Sequence, residues 1–361
     1  MVHKNKNAPR LEFAQDAFGE NNPKLAGLLK ALTLAARPRV FLAADVNVVT
    51  RTEGFGSRIG RYFQKYEIEL AGKPVVLACG EKIKNDDFKS VSQIGRAALE
   101  AKIGRDDIFL AIGGGTLLDV AGYVAAQLRG GTRLVRLPTT PGAMMSSAFA
   151  ESAALNTAVV KDAYRVPCAA AATFIDTNFA TSVLDGVWRA GYAEAVRTAV
   201  TGDKTFFDFL VDNVQAFHDR DQATLEETVR STIELKEAKG EGNFGLWAAS
   251  RLESLSNYKL PYGYAVAMGI LIDAAYAQVK GYLEKVEREA LVGVLTRSGT
   301  LEGIVQSMPL LERAEEILCG LDAWRLARPD DTFSFPRSLG KSVAEKNIDR
   351  ETMKVALNMV K

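Results

Sequence analysis

Three consecutive glycines separate an apolar run from a helical pattern in the first third of the chain. Gly113, Gly114 and Gly115 follow DIFLAI and precede TLLDVAGYVAAQ. Glycine lets a backbone approach a phosphate without a Cβ in the way, and a helix N-terminus adds N–H donors and the positive end of a dipole. The spacing GGGxxxD is not the G-x-G-x-x-G fingerprint, so the motif by itself is equally typical of a tight turn.

Polar side chains follow the apolar runs on either side of this turn. They are Asp45, Asn47, Glu81, Lys84, Thr139 and Thr140. If these runs are parallel strands, their carboxyl ends meet at one edge of a sheet, where such sheets bind ligands. Together with the glycine turn, these residues favour a bound dinucleotide over a turn that binds nothing.

A charged pair with helical spacing lies in the second half of the chain. Glu194 and Arg197 are three residues apart in GYAEAVR, which brings two side chains together on one helix face. Two interpretations stay open. The residues form a buried ion pair that only stabilises the helix, or Glu194 is a carboxylate that faces a substrate.

Three further residues each have a structural and a functional interpretation. Tyr262 in LPYGYAVAMG is either a core aromatic or a general acid or base. The catalytic role requires a cation such as Lys161 or Arg197 to lower the pKa of the phenol. Lys161 faces either a cleft or solvent, and Asn243 either binds a substrate hydroxyl or caps the helix that follows it.

Composition excludes several classes of function. Only two histidines occur among 361 residues, His3 and His218, whereas a catalytic zinc site takes two or three imidazoles. The formal net charge of +1 offers no basic surface to nucleic acid or membranes, and no apolar run approaches the roughly 18 residues of a membrane span. Scattered cysteines (Cys79, Cys168 and Cys319) and a start without a signal-peptide pattern predict a cytoplasmic protein.

The elements that would position these residues alternate in the first half of the chain. Apolar runs typical of buried strands occupy residues 39–49, 73–80, 107–115 and 132–140, and helical patterns occupy 86–104 and 116–131. This alternation predicts a parallel sheet covered on both faces. After 173–180 the patterns are mostly helical, apart from a loop or short hairpin at 328–338. We therefore predict an α/β domain over 1–177 and an all-α domain over 178–361.

The order of these blocks resembles that of dehydroquinate synthase and its relatives, the sugar phosphate cyclases. The blocks are AADVNVV, CGEKIKND, IGGGTLLDVAGYVAAQLRGGTRLVRLPTT, Asn156, Lys161 and RAGYAEAVRTAVTGDKTFF. The stretches WRAGYAEAV and NFGLWAASRLESLS look closest to the branch that cyclises sedoheptulose 7-phosphate. The resemblance runs from about residue 35 to 270.

The resemblance implies a dehydroquinate synthase-like fold. Its N-terminal domain would be Rossmann-like, its C-terminal domain helical, its cofactor NAD and its assembly a homodimer. The NAD-binding residues that it implies are Asp45, Asn47, Glu81, Lys84, Gly113, Gly114, Gly115, Asp119, Thr139 and Thr140.

The resemblance also marks what this chain lacks at the family's metal site. The family holds its metal with one glutamate and two histidines, and the glutamate corresponds to Glu194. The two histidine positions are occupied by Leu246 and Tyr262. Leucine cannot ligate a metal, a neutral tyrosine is a poor zinc ligand, and a single carboxylate does not hold zinc against water. We therefore predict that no metal is bound.

Groups that bind substrate phosphate in the family are replaced as well. Ser146 and Ser152 stand for an aspartate and a lysine, Ser250 for a histidine, and Asp162 for an asparagine. These changes remove cationic partners of a phosphate dianion and add an acid that would repel it. The pocket is therefore not retained for a cyclisation that eliminates phosphate.

We predict a metal-independent, NAD-dependent enzyme of secondary metabolism that uses hydride transfer on a hydroxylated, sugar-derived or cyclitol-like substrate. Its expected catalytic residues are Glu194, Lys161, Arg197, Tyr262 and Asn243. Two alternatives stay open: a zinc-dependent sugar phosphate cyclase, of the 3-dehydroquinate or 2-epi-5-epi-valiolone synthase type, and a non-catalytic homologue that keeps NAD. Retained nucleotide contacts beside lost metal ligands favour the first reading. The expected partners are a small molecule and a second copy of the chain, without nucleic acid or membrane.

Overall fold

The computed structural model describes residues 10–361, so His3 lies outside the described residues. The chain folds into two compact units. The first contains residues 10–157 together with 162–183, and the second contains 158–161 and 184–361. The domain boundary between residues 177 and 178 stays a prediction.

The first unit alternates strands with helices. Its strands are β1 (Arg10–Phe13), β2 (Arg39–Asp45), β3 (Glu69–Leu70), β4 (Val75–Leu77), β5 (Ile108–Gly113), β6 (Arg133–Pro138), β7 (Ser152–Leu155), β8 (Tyr164–Pro167) and β9 (Ala172–Ile175). Its α-helices are α1 (Lys24–Ala31), α2 (Val46–Arg51), α3 (Phe55–Lys65), α4 (Lys89–Glu100), α5 (Gly115–Gln127) and α6 (Pro141–Met145). Short 3-10 helices occupy Glu81–Lys84, Leu128–Gly130, Ser147–Phe149 and Thr177–Ser182.

Seven of these strands form one parallel sheet in the order β1-β9-β6-β5-β2-β3, with β4 also paired to β2. Phe41 and Phe109 belong to the apolar cluster on one face, and Leu42 and Leu110 belong to the cluster on the other. Successive residues of a strand point to opposite faces, so both faces are covered by helices and buried. This confirms the predicted sheet. Strands β7 and β8 form a separate antiparallel hairpin that the sequence pattern did not indicate.

The second unit is helical apart from one hairpin. Its α-helices are α7 (Asp185–Gly202), α8 (Lys204–Asp212), α9 (Val214–His218), α10 (Gln222–Lys239), α11 (Leu246–Leu255), α12 (Tyr262–Val279), α13 (Lys285–Arg297), α14 (Ala314–Ala327) and α15 (Arg350–Asn358). A 3-10 helix occupies Leu301–Glu312, and β10 (Phe333–Ser338) pairs antiparallel with β11 (Lys341–Glu345). A hairpin is one of the two structures predicted for residues 328–338.

Helix α12 is the centre of the second unit. It is apolar on nearly all sides and packs against α7, α11 and α15, as expected of a helix buried all round. A Cβ at Gly263 would clash with the carbonyl oxygen of Ala190, and one at Gly269 would clash with that of Gly245. These glycines therefore let α12 approach α7 and the start of α11 backbone to backbone. None of the helices in residues 10–361 has the length and apolar character needed to cross a membrane.

Candidate active site

The carboxylate of Glu194 lies at the centre of a buried group of charges in the second unit. Glu194 is 2% exposed on α7, which its apolar neighbours bury almost entirely. Its Oε1 accepts hydrogen bonds from Arg197 Nη2 and Lys236 Nζ, each at 2.5 Å. Burial by itself would raise the pKa of Glu194, but Arg197 and Lys236 lower it to about 2. The carboxylate is therefore ionised at neutral pH.

Arg197 forms the predicted ion pair with Glu194 and also binds the loop between α10 and α11. Its Nε donates to Glu194 Oε2 over 3.4 Å, and its Nη1 donates to the backbone carbonyls of Glu241 (3.0 Å) and Gly242 (3.1 Å). The guanidinium therefore holds the carboxylate and the loop in fixed positions. This places Arg197 against protein groups on several sides.

Lys236 is a member of this group that the sequence analysis did not identify. It lies in the last turn of α10, is almost fully buried, and contacts Glu241 Oε1 at 3.5 Å in addition to Glu194. Sequence periodicity cannot reveal the contact because Lys236 and Glu194 are 42 residues apart on different helices. The sequence gives one signal for this contact: Lys236 falls on the face of α10 that the apolar residues mark as buried.

Tyr262 is the first residue of α12, and its hydroxyl donates to Glu194 Oε2 over 3.3 Å. Burial and the negative charge of Glu194 raise its pKa well above 10, although Arg197 acts in the opposite direction. The lowering by Arg197, which a catalytic role of Tyr262 as a base would need, is therefore outweighed by burial and by Glu194. The phenol stays protonated, so Tyr262 can donate a proton but is a poor base at neutral pH.

Lys161 and Glu253 form a second buried ion pair beside Tyr262. Lys161 Nζ lies 2.5 Å from Glu253 Oε2 and 5.1 Å from the centre of the Tyr262 ring. Glu253 is fully buried on α11 and was missed in the sequence. A signal existed: it lies three residues after Ser250 and seven after Leu246, so all three share one helix face.

We refer to Glu194, Arg197, Lys236, Lys161, Glu253 and Tyr262 as the buried charge cluster; Glu241, which Lys236 also contacts, is 56% exposed. Within it the two oxygens of Glu194 differ, because Oε1 accepts two short bonds and Oε2 accepts two long ones. Hydrogen bonds weaken as they lengthen, so Oε2 is the oxygen better able to accept a hydroxyl group of a ligand.

The side chain of Asn243 forms hydrogen bonds with backbone groups rather than with the charged residues of this cluster. Its Nδ2 donates to the carbonyl of Thr332 (2.7 Å) and its Oδ1 accepts from the backbone N–H of Ser334 (2.8 Å). The N-cap of α11 is Gly245, so the interpretation of Asn243 as a helix cap is wrong. The amide connects the start of α11 to β10, and its catalytic role stays a prediction.

In the first unit, the predicted nucleotide residues lie at or just after the carboxyl ends of parallel strands, except Asp119, which lies within α5. Gly113 ends β5 and Gly115 begins α5, whose N-cap Gly114 offers no side chain to the first N–H groups of the helix. The backbone N–H of Thr139 donates to the carbonyl of Gly113 (3.0 Å), and Thr140 caps α6. These residues thus surround one glycine-rich turn with an uncapped helix start.

The acidic residues predicted beside this turn are hydrogen-bonded within the unit. Asp45 caps α2 by accepting from the backbone N–H of Asn47 at 2.8 Å. Glu81 Oε2 accepts from Asn156 Nδ2 at 3.0 Å. Asn47 also donates through its side chain to Asp45 Oδ1, so the ends of β2 and β4 both carry ordered acceptor oxygens.

Lys84 is buried between two carboxylates. Its Nζ contacts Asp119 Oδ2 at 2.7 Å and Asp162 Oδ1 at 3.0 Å, and these acids raise its pKa against the effect of burial. Asp162 also pairs with Arg165 (2.9 Å), whose Nη1 donates to Ser152 Oγ (2.6 Å). Asp162 therefore forms ion pairs with both Lys84 and Arg165.

The donors around Glu194 do not suit a metal ion. Leu246 and Tyr262 provide no imidazole, and the carboxylate already contacts an ammonium and a guanidinium. Across residues 10–361, no three histidine, cysteine, aspartate or glutamate side chains are grouped so as to hold a metal ion.

Comparison with known proteins gives the family. The chain matches the family model for the 3-dehydroquinate synthase N-terminal domain over residues 74–188 and that for the C-terminal domain over 191–311. It is 30% identical to 3-dehydroquinate synthase from Haemophilus ducreyi over 266 residues, covering 68% of this chain and 72% of that protein. It is 27% identical to the enzyme of the same name from Sulfurisphaera tokodaii over 253 residues, covering 67% and 70%.

Solved structures show the same fold. One is ValA, the 2-epi-5-epi-valiolone synthase from Streptomyces hygroscopicus subsp. jinggangensis with NAD+ and Zn2+ bound, at a TM-score of 0.84 and 20% identity over 98% of this chain and 96% of that chain. Another is 2-deoxy-scyllo-inosose synthase complexed with carbaglucose-6-phosphate, NAD+ and Co2+, at 0.77 and 17% over 97% and 96%. The chain belongs to the 3-dehydroquinate synthase family of enzymes, within the sugar phosphate cyclase superfamily.

Proposed function

We propose that this chain is a metal-independent, NAD-dependent enzyme that transfers a hydride to or from a hydroxylated, sugar-derived or cyclitol-like substrate. The observation that supports this most strongly is the contact of Glu194 Oε1 with two side-chain cations, Arg197 and Lys236. A role in secondary metabolism and a homodimeric assembly are part of the proposal and are carried over from the family resemblance.

The charges around Glu194 favour catalysis without a metal. A divalent ion bound to this carboxylate would lie close to an ammonium and a guanidinium in a buried setting, where repulsion between like charges is strong. The positions that would supply the other ligands are Leu246 and a protonated Tyr262. Side-chain cations therefore take the place of the ion's charge.

The first unit carries groups of the kind that bind the pyrophosphate and ribose of NAD. The uncapped start of α5 at Gly114 and Gly115 offers N–H groups to a pyrophosphate, and Asp45 and Glu81 offer carboxylate oxygens to ribose hydroxyls. Lys84, Asp119, Thr139 and Thr140 complete the proposed set, with Asn47 beside Asp45. When bound, NAD supplies a two-electron hydride acceptor, or a donor in its reduced form.

The chain's own residues would orient the substrate and manage its proton. Glu194 Oε2 accepts a hydrogen bond from a substrate hydroxyl and thereby orients it, since its low pKa makes it a poor base. The protonated phenol of Tyr262 donates to the reacting oxygen and can deliver the proton when a carbonyl is reduced. When a hydroxyl is oxidised, its hydride passes to NAD+ and its proton is released to water. Lys161 contributes positive charge next to the phenol ring. Arg197 and Lys236 act through Glu194 as positioning residues.

A spectroscopic and elemental measurement tests the proposal. Purified protein is incubated with NAD and a panel of cyclitols and sugars, while NADH absorbance is followed with and without a chelator and bound metals are quantified. We expect NADH formation that the chelator does not reduce, with metal well below one equivalent. Activity that requires stoichiometric zinc or cobalt would instead indicate the metal-dependent cyclase, and NAD binding without turnover of any substrate would indicate a non-catalytic homologue.

A further inference from the structure

We infer that Ser147 is a further nucleotide-binding residue of the first unit, and that the buried Arg136 is the residue that positions it. The inference rests on the proposed NAD site and deepens it, because it adds a side-chain donor to the groups offered to the pyrophosphate. It follows from the contacts of the short 3-10 helix Ser147–Phe149 and of Ala150, at which this helix ends. We refer to these four residues as the 147–150 turn.

Arg136 lies on β6 and binds the 147–150 turn through backbone carbonyls. Its side chain is buried, and its Nη1 donates to the carbonyls of Ser147 (3.2 Å) and Ala150 (2.6 Å). Its Nη2 donates to the carbonyl of Cys168 (2.9 Å), and within the part of the chain that the structure describes the guanidinium forms no ion pair. Burial therefore lowers the pKa of Arg136. A planar guanidinium with several N–H groups in fixed directions can hold all three carbonyls at once.

Thr173 provides a second contact with the same turn. It is paired with Arg136 across β9 and β6, is fully buried, and donates through Oγ1 to the carbonyl of Ala148. Two neighbouring strands thus hold the turn by three of its four carbonyls. A 3-10 helix of three residues has little stability of its own, so side chains of the sheet fix its position.

The turn held in this way places the hydroxyl of Ser147 beside the glycine-rich turn. A Cβ on Gly115, the first residue of α5, would lie 2.8 Å from Ser147 Oγ. Glycine at this position therefore leaves the space that the hydroxyl occupies. The start of α5 has no side-chain cap, so Ser147 Oγ lies next to a helix end that can bind an anion.

The hydroxyl of Ser147 is available to a ligand. Its Oγ forms no hydrogen bond with any residue in the range 10–361, and the residue is only partly buried. The hydroxyls on either side of it are engaged: Ser146 Oγ donates to the carbonyl of Gly142 (2.7 Å), and Thr140 Oγ1 accepts from the N–H of Ala143 (3.3 Å). An ionised phosphate only accepts hydrogen bonds, and a serine hydroxyl can donate one.

Calorimetry with ADP-ribose and with adenosine tests the role of Ser147, because ADP-ribose contains the pyrophosphate and adenosine has no phosphate. Ser147→Ala should weaken ADP-ribose binding by about tenfold, the effect of one hydrogen bond to a charged group, and leave adenosine binding unchanged. Ser146→Ala is the matched control and should change neither affinity, since that hydroxyl is bound to Gly142. Equal losses for both ligands in Ser147→Ala would overturn the assignment to phosphate.

A double-mutant cycle tests the positioning by Arg136. Arg136→Met should weaken ADP-ribose binding by about tenfold, because the turn loses two of its hydrogen bonds and the hydroxyl leaves its place. Adding Ser147→Ala to Arg136→Met should then cause little further loss. Independent losses that multiply in the double variant would show that Arg136 does not act through Ser147. If Arg136→Met does not fold, Thr173→Val is measured in the same cycle with the same expectation.

The unmodified chain separates this inference from the proposed function. If it binds neither NAD nor ADP-ribose, the proposed NAD site fails and the inference fails with it. If it binds both, and Ser147→Ala binds ADP-ribose equally well, the inference alone is overturned and the proposed NAD site stands.

Discussion

The ammonium nitrogen of Lys236 lies 2.5 Å from Oε1 of Glu194, the oxygen that Arg197 also contacts. The chain thus supplies positive charge at Glu194 through two side chains of different helices. A buried carboxylate with two cationic partners is stable as long as both partners remain.

Lys236→Met should destabilise the protein by about 3 kcal/mol, the lower end for breaking a buried ion pair, because Arg197 still compensates Glu194. Urea unfolding at pH 7 measures the change. Adding Glu194→Gln to Lys236→Met should increase the loss, since the buried guanidinium of Arg197 then loses the carboxylate that compensates it. Lys204→Met breaks an exposed pair and should have little effect. If Lys236→Met and Lys204→Met lowered the free energy of unfolding equally, Lys236 would not stabilise the protein through a buried ion pair.

Tyr262→Phe should lower kcat by roughly a hundredfold while leaving NAD affinity nearly unchanged, because one hydrogen-bond donor to the reacting oxygen is lost. Steady-state kinetics on the identified substrate and calorimetry with NAD measure the two quantities. Tyr264→Phe is a matched control on the same helix, since Tyr264 has no part in the cluster. Full activity of Tyr262→Phe would remove the phenol from the mechanism.

Lys161→Ala should also slow turnover by roughly a hundredfold, because the positive charge beside the Tyr262 ring is lost. Since Glu253 would lose its ion pair with Lys161, unfolding in urea must accompany the kinetics. Lys161→Arg keeps the charge and should recover a large part of the activity. If Lys161→Ala only reduced stability and left kcat intact, its role would be structural.

The stability of the protein should depend on pH through Asp273. This buried carboxylate of α12 accepts from the backbone N–H of Gly245 (2.7 Å) and from Trp247 Nε1 (2.8 Å), and burial raises its pKa to about 7. The unfolded carboxyl loses its proton near pH 3.8, so between pH 3.8 and 7 the folded state holds the extra proton. This contribution to stability is complete below pH 3.8 and is lost as pH rises through 7, on the order of 4 kcal/mol in total.

Asp273→Asn removes that ionisation, so its unfolding free energy should change less between pH 5 and pH 8 than that of the unmodified chain. Urea titrations at the two pH values give the comparison, and the difference is meaningful whatever the absolute stability of the variant. Asp208→Asn, at an exposed site, serves as control. Identical pH dependence of Asp273→Asn and the unmodified chain would show that Asp273 does not titrate in this range.

Local features of this protein were determined by the sequence alone. Spacing of three residues on a helix brings Glu194 and Arg197 together wherever that helix packs, and the glycines at 113–115 predict a turn between strand and helix. The alternation of apolar runs predicted the parallel sheet, because strands buried on both faces need apolar residues throughout. The scarcity of histidine, which argues against a catalytic zinc site, is evident from the composition without any structure.

Contacts between distant helices were decided only by the tertiary structure. Lys236 and Glu253 join the cluster because α10 and α11 pack beside α7 and α12, and the close approach at Gly263 brings the start of α12 next to α7. The same packing raises the pKa of Tyr262, since burial and the charge of Glu194 outweigh Arg197. Sequence spacing specifies which residues share one helix face, but burial and charge at a side chain depend on what other elements bring to it.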